Sequence, residues 1–106
     1  AGSMALKAAV SFHGGLAGND LAQAPITAPV LVLHGHDDPM VPPDVVAQFQ
    51  QEMTERCADW QLVSYGHTVH GFTRPDANIP DMGVVYSPLA DKRSWRSMLQ
   101  FFEEVL

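Results

Sequence analysis

Three short apolar segments, each followed closely by a glycine, constrain the fold of this sequence more than any other feature. They occupy residues 8–12, 30–33 and 60–65. The middle segment is apolar at consecutive positions rather than alternate ones, which is typical of a strand covered on both faces in a parallel sheet. We therefore predict three strands, each ending in a turn.

One amphipathic helix is predicted between the second and third strands. Pro42 and Pro43 suit the first turn of a helix, where a missing backbone N–H is harmless. Apolar residues then recur at near-helical spacing as far as Met53, and the helix is expected to end near Cys57.

A second amphipathic helix is predicted at the end of the sequence. Ser87 followed by Pro88 has the pattern of an N-cap and a first helical residue. The apolar residues that follow at three- and four-residue steps are Trp95, Met98, Leu99, Phe102 and Leu106. Strands that alternate with helices indicate an α/β domain with a parallel sheet, and residues 16–28 are expected to be mostly loop.

Length and charge restrict the class of protein. The 106 residues suffice for one compact domain, which we assign to residues 4–106 because Ala1-Gly2-Ser3 before Met4 resembles a cloning remnant. The net charge is −6 and no Lys or Arg lies between Lys7 and Arg56, which disfavours nucleic acid and anionic membranes as partners. A single cysteine and the lack of any long apolar run favour a cytoplasmic location.

The loops that follow the three predicted strands carry the residues of chemical interest. In an open parallel sheet such loops meet at one edge, beyond the carboxyl ends of the strands. Asp37 and Asp38 follow the second strand, and His67 and His70 follow the third. An acid followed by a histidine matches the chain order of the α/β-hydrolase triad, in which a carboxylate orients the imidazole that takes the nucleophile's proton.

The segments around these residues resemble the dienelactone hydrolase family. The stretch PVLVLHGHDDPMVP, residues 29–42, looks like the acid loop of that family, and HGFT, residues 70–73, resembles its histidine loop. SFHGGL, YSP and ADKRSW are similar to further family segments in the same order. The resemblance implies the C-terminal half of an α/β-hydrolase fold, with Asp38 as the triad acid and His70 as the base.

The nucleophile of the family is missing from this sequence. Family members carry Ser or Cys in a Gly-x-Ser/Cys-x-Gly elbow upstream of the matched segments, and no such motif occurs here. We interpret Cys57 as a small buried apolar residue. The resemblance implies ester or lactone hydrolysis by acyl transfer, without a cofactor, and the isolated chain is expected to be inactive. The alternative is a non-catalytic, truncated scaffold that binds a partner or oligomerises.

Other polar residues near these loops have plainer interpretations. Asp37 is read as a turn residue, His67 as a surface residue and His13 as a structural residue hydrogen-bonded at its strand end. Arg74 is a candidate contact for a substrate carboxylate, although a solvated loop arginine is the favoured interpretation. A metal site is not expected, because prolines and glycines interrupt the candidate cluster and no cysteine pair supports it; its members are His34, His36, Asp37, Asp38, His67 and His70.

The first strand is expected to lie at an open edge of the sheet. In the parent fold its outer edge would pair with the strand that leads to the nucleophile. A bare apolar edge strand promotes pairing with another chain. We therefore predict a homodimer, with a separately encoded N-terminal half as another possible partner and a small ester or lactone as the substrate.

Overall fold

A computed structural model describes residues 7–15 and 26–106 of the chain, and a three-stranded parallel sheet forms its centre. The strands are β1 (Ala9–Phe12), β2 (Val30–Gly35) and β3 (Trp60–Tyr65), in the order β1-β2-β3. The sheet confirms the predicted α/β fold. β2 pairs on both sides and is buried from Leu31 to Gly35, as its continuous apolar run indicates.

Two helices cover opposite faces of this sheet. Helix α1 (Pro43–Glu55) packs Val45, Val46 and Phe49 against the face that carries Val32. Helix α2 (Pro88–Val105) covers the face that carries Leu31 and Leu33. The alternation of β2 side chains between two covered faces explains why its sequence has no polar face.

The face of α2 that is buried differs in part from the predicted one. Ala90, Ser94 and Phe101 are its buried residues, with Met98, Phe102 and Val105 packed at the margin. Three members of the predicted apolar stripe are more than half exposed; they are Trp95 at 55%, Leu99 at 51% and Leu106 at 72%. The spacing of apolar residues predicted the helix. Which face of the helix is buried depends on how the sheet packs against it.

The interpretation of Cys57 as a buried residue is wrong. Cys57 follows the end of α1 in a left-handed conformation, with φ of 57°, and is exposed. Its backbone N–H donates to the carbonyl oxygen of Thr54 at 3.1 Å, which closes the last turn of the helix. The position serves to end the helix, and its side chain therefore lies outside the core.

A small hairpin between the third strand and α2 was not predicted. Its strands are β4 (Asn78–Ile79) and β5 (Val84–Val85), joined by a 3₁₀ turn at Pro80–Met82 and by Gly83. Two-residue strands leave almost no periodic signal in a sequence. Residues 1–3 and most of the predicted loop at 16–28 lie outside the described residues. Within the described part of the chain, no helix is long and apolar enough to cross a membrane.

Candidate active site

Asp38 is held rigidly in the turn that follows β2. Its side chain has no solvent exposure. Its Oδ1 accepts a hydrogen bond from the backbone N–H of Met40 at 2.8 Å, and its own N–H donates to the carbonyl oxygen of Gly35 at 3.1 Å. A buried carboxylate needs such partners, because an unpaired charge in the interior is very costly.

His70 lies in the loop that follows β3, and the unpredicted hairpin fixes its backbone. The N–H of His70 donates to the carbonyl oxygen of Gly83 at 3.0 Å, and its carbonyl oxygen accepts from the N–H of Val85 at 3.2 Å. Gly83 has φ of 68° and packs so closely on the ring of Pro39 that a Cβ would collide with it. The hairpin therefore contacts both the acid loop and the histidine loop.

The side chains of Asp38 and His70 meet as the sequence predicted. His70 Nδ1 lies 2.7 Å from Asp38 Oδ2. An ionised carboxylate only accepts hydrogen bonds, so Nδ1 carries the proton and Nε2 is the bare nitrogen of the neutral ring. The His70 side chain is 26% exposed, whereas that of Asp38 is fully buried. We call these two residues the acid–base pair.

His13 adjoins this pair from the end of β1. Its ring centroid lies 5.4 Å from that of His70, and its Nε2 lies 2.8 Å from Thr73 Oγ1. This hydrogen bond at the strand end confirms its predicted structural contact. Burial, followed by the charge of His70, lowers the pKa of the His13 imidazole, although its own backbone and Asp38 act in the opposite direction.

The remaining candidates for a metal cluster do not converge. His36, Asp37 and His67 are exposed, and His67 occupies a left-handed conformation with φ of 55° in the loop before His70. Asp37 and His67 thus agree with their predicted positions in a turn and on the surface. Among the residues that the structure describes, no three His, Cys, Asp or Glu side chains are grouped so as to hold a metal ion.

His34 is a buried histidine on the α1 face of β2, and it predicts a pH dependence of stability. Only 3% of the residue is exposed, and its Nδ1 has no hydrogen-bond partner among the described residues. Burial lowers the pKa of His34 below its ordinary value of 6.5, although the charge of Asp38 partly opposes this.

The unfolded chain therefore takes up protons at His34 more readily than the folded chain does. We expect the free energy of unfolding to be largest above the ordinary pKa and to fall as the pH drops from 6.5 toward the lower pKa of the folded state. Urea unfolding between about pH 5.5 and 7.5 measures the slope of the free energy of unfolding against pH, and this slope should be smaller in a His34→Leu variant. A variant with the full wild-type slope would contradict this assignment.

Arg74 lies beside a cavity next to the acid–base pair. The cavity has a volume of about 380 Å³ and is lined by Phe12, His13, Thr73, Arg74, Asp91 and Trp95; we call it the His13 cavity. The guanidinium of Arg74 is largely exposed and makes a long contact of 3.4 Å with Asp76. Asp91 accepts a hydrogen bond from the Tyr86 hydroxyl at 2.7 Å, which raises the pKa of Tyr86.

Comparison with known proteins identifies the family of this chain. The family model of the dienelactone hydrolase family matches residues 1–106. The chain belongs to the dienelactone hydrolase family. Its sequence is 36% identical over 104 residues to the uncharacterized protein K02A2.1 of Caenorhabditis elegans. The aligned region covers 93% of this chain and 65% of that protein.

Solved structures of family members share its fold. A dienelactone hydrolase-like promiscuous phosphotriesterase from metagenomic libraries, P91, superposes with a TM-score of 0.84 and 38% identity. A second structure, m3DLH, superposes with a TM-score of 0.83 and has 37% sequence identity. The chain spans 42% of the length of each of these two, although 92% and 93% of this chain are covered. The matched part of this dienelactone hydrolase family chain is thus less than half of each solved relative.

Proposed function

We propose that this chain supplies the acid and the base of a triad that hydrolyses a carboxylic ester or a lactone by acyl transfer. The 2.7 Å contact between His70 Nδ1 and the buried Asp38 carboxylate carries the proposal. Because this contact uses Nδ1, the basic Nε2 of the partly exposed His70 ring is free to exchange protons with the reacting groups. Membership in the dienelactone hydrolase family supports the same chemistry.

Proton transfer through His70 completes each half of the reaction. His70 Nε2 takes the proton of a serine hydroxyl or cysteine thiol as the nucleophile bonds to the acyl carbon, and it gives that proton to the oxygen of the leaving alcohol. Water then attacks the acyl intermediate, losing a proton to Nε2 that returns to the released nucleophile. Asp38 stabilises the imidazolium that forms in each step.

We infer that the nucleophile arrives on a strand that pairs with the outer edge of β1. β1 hydrogen-bonds with β2 on one side only among the described strands. It ends at His13, whose ring adjoins His70. A parallel strand added there would end beside the acid–base pair, because the carboxyl ends of parallel strands meet at one edge.

Arg74 is the proposed contact for an anionic group of the substrate. Its guanidinium borders the His13 cavity together with the aromatic rings of Phe12 and Trp95. Guanidinium binds carboxylate in a planar, two-point arrangement. The cavity therefore favours an ester or lactone that combines an unsaturated or aromatic body with a carboxylate.

A chimaeric protein tests this function. The portion of P91 that precedes the region matched by this chain is fused to residues 4–106, and hydrolysis of p-nitrophenyl acetate is measured for the chimaera and for the chain alone. We expect turnover in the chimaera and a rate close to buffer for the chain alone. A folded chimaera without turnover would favour the alternative function, a non-catalytic scaffold.

The chain alone is expected to form a homodimer. The edge of β1 that pairs with no described strand is an apolar template for a second copy, and α2 exposes Trp95, Leu99 and Leu106. Sedimentation equilibrium should give about twice the chain mass of 11.6 kDa. In the chimaera the added strand occupies the same edge, so dimerisation through β1 should be lost. A chain that sediments at its own mass at micromolar concentration would contradict the prediction.

A further inference from the structure

His13 occupies a conformation that a histidine seldom adopts. Its φ is 41°, in the left-handed region that residues with a Cβ disfavour. Its backbone N–H donates to the carbonyl oxygen of Leu33 at 2.9 Å, which ties the residue to the neighbouring strand β2. The surrounding structure therefore holds the residue in place against its backbone preference.

The ring of His13 is fixed on several sides. Its Nε2 is hydrogen-bonded to Thr73 Oγ1 at 2.8 Å. Its plane lies at 71° to the ring of His70, with centroids 5.4 Å apart, and at 75° to the ring of Phe72, with centroids 5.2 Å apart. Such edge-to-face contacts are favourable and directional, so the position of one ring restricts the position of the other.

We propose that His13 is a positioning residue for His70: its ring, anchored through Thr73, blocks one direction of tilt and keeps His70 Nδ1 on Asp38. The catalytic consequence of this contact rests on the proposed function. The positional claim rests on the geometry of the described residues alone. Nothing in the acid–base pair itself prevents this tilt, because one hydrogen bond at Nδ1 allows the ring to pivot about it.

The charge state of His13 is compatible with a role beside His70. His70, Asp38 and Arg74 act on it electrostatically, and Asp91 borders the same cavity. Burial lowers the pKa of His13, so the ring is neutral at neutral pH. A neutral neighbour does not oppose the positive charge that His70 acquires when it takes a proton, whereas a cationic side chain would.

Hydrogen exchange of the His70 Nδ1 proton in the full chain, measured by NMR, tests the positional claim. His13→Asn removes the ring, and asparagine tolerates the left-handed backbone. Thr73→Val removes the anchor of the ring while keeping the side-chain shape. His67→Asn is the matched control, because His67 is an exposed histidine that is also left-handed, with φ of 55°.

We expect the Nδ1 proton to exchange about tenfold faster or more in His13→Asn and in Thr73→Val, and at the wild-type rate in His67→Asn. If His13→Asn does not fold, the exchange rate measured in Thr73→Val tests the proposal by itself. Wild-type exchange in a folded Thr73→Val, or a wild-type chain without a protected Nδ1 proton, would overturn the proposal. A change in melting temperature without faster exchange would indicate a purely structural role.

The chimaera separates this proposal from the proposed function. In an active chimaera, His13→Asn should lower kcat by about 10–100-fold and raise KM by much less, because a small misplacement of the base affects the chemical step most. An inactive chimaera would contradict the proposed function and leave the exchange experiment to decide the role of His13. An active chimaera with unchanged kcat in His13→Asn would overturn the catalytic consequence.

Discussion

Asp38→Asn should lower kcat for ester hydrolysis in the chimaera by about 10⁴-fold, and His70→Ala should lower it by about 10⁶-fold. The Asp38 carboxylate accepts a hydrogen bond from the Nδ1–H of His70 at 2.7 Å and is fully buried. An amide at this position can present its NH₂ to Nδ1 and so favour the wrong tautomer, which leaves the proton on Nε2. KM should change little, because neither residue is proposed to bind the substrate.

Steady-state kinetics with p-nitrophenyl acetate measure this effect, with unfolding curves to confirm that each variant is folded. His67→Asn is the control, since it removes an exposed histidine from the same loop. It should keep the activity of the parent chimaera within about twofold. Equal losses in His67→Asn and His70→Ala would indicate that the loop as a whole is disturbed, and full activity in His70→Ala would exclude His70 as the base.

Gly35→Ala should destabilise the chain by about 1–3 kcal/mol or more, which is a large part of the stability of a small domain. A Cβ on Gly35 would lie 2.7 Å from the carbonyl oxygens of both Thr68 and Val69. These are backbone atoms of the histidine loop, and they cannot move aside without shifting His70. Activity in the chimaera should therefore fall as well, by up to about 10²-fold.

Gly66→Ala is a matched control for this substitution. Gly66 directly follows β3, whereas Gly35 is the last residue of β2, and a Cβ built on Gly66 would meet no atom within 4 Å. Urea unfolding of both variants measures the difference, and Gly66→Ala should change the free energy of unfolding by less than about 1 kcal/mol. Equal losses in the two variants would contradict the close approach of β2 to the histidine loop.

The bounds of the main strands and helices follow from local patterns that tertiary packing did not override. β3 coincides with residues 60–65, and α1 begins at Pro43 and ends two residues before Cys57. The motif around Asp38 and the family's histidine motif also identified the two side chains that meet. Family resemblance was needed to choose Asp38 over Asp37, because both are acids in the same turn.

The sequence by itself determined the parallel strands and the two helices, because apolar periodicity, proline and glycine act over a few residues. Its resemblance to the family then singled out Asp38 and His70 as the two side chains that meet. Only the tertiary structure decided which stripe of α2 is buried, how Gly83 joins the acid and histidine loops, and that the His13 ring contacts His70. The last two of these features depend on contacts between residues 44 to 60 positions apart, such as Pro39 with Gly83 and His13 with Thr73. Local sequence carries no signal for such contacts, because they form only when the sheet brings the ends of its strands together.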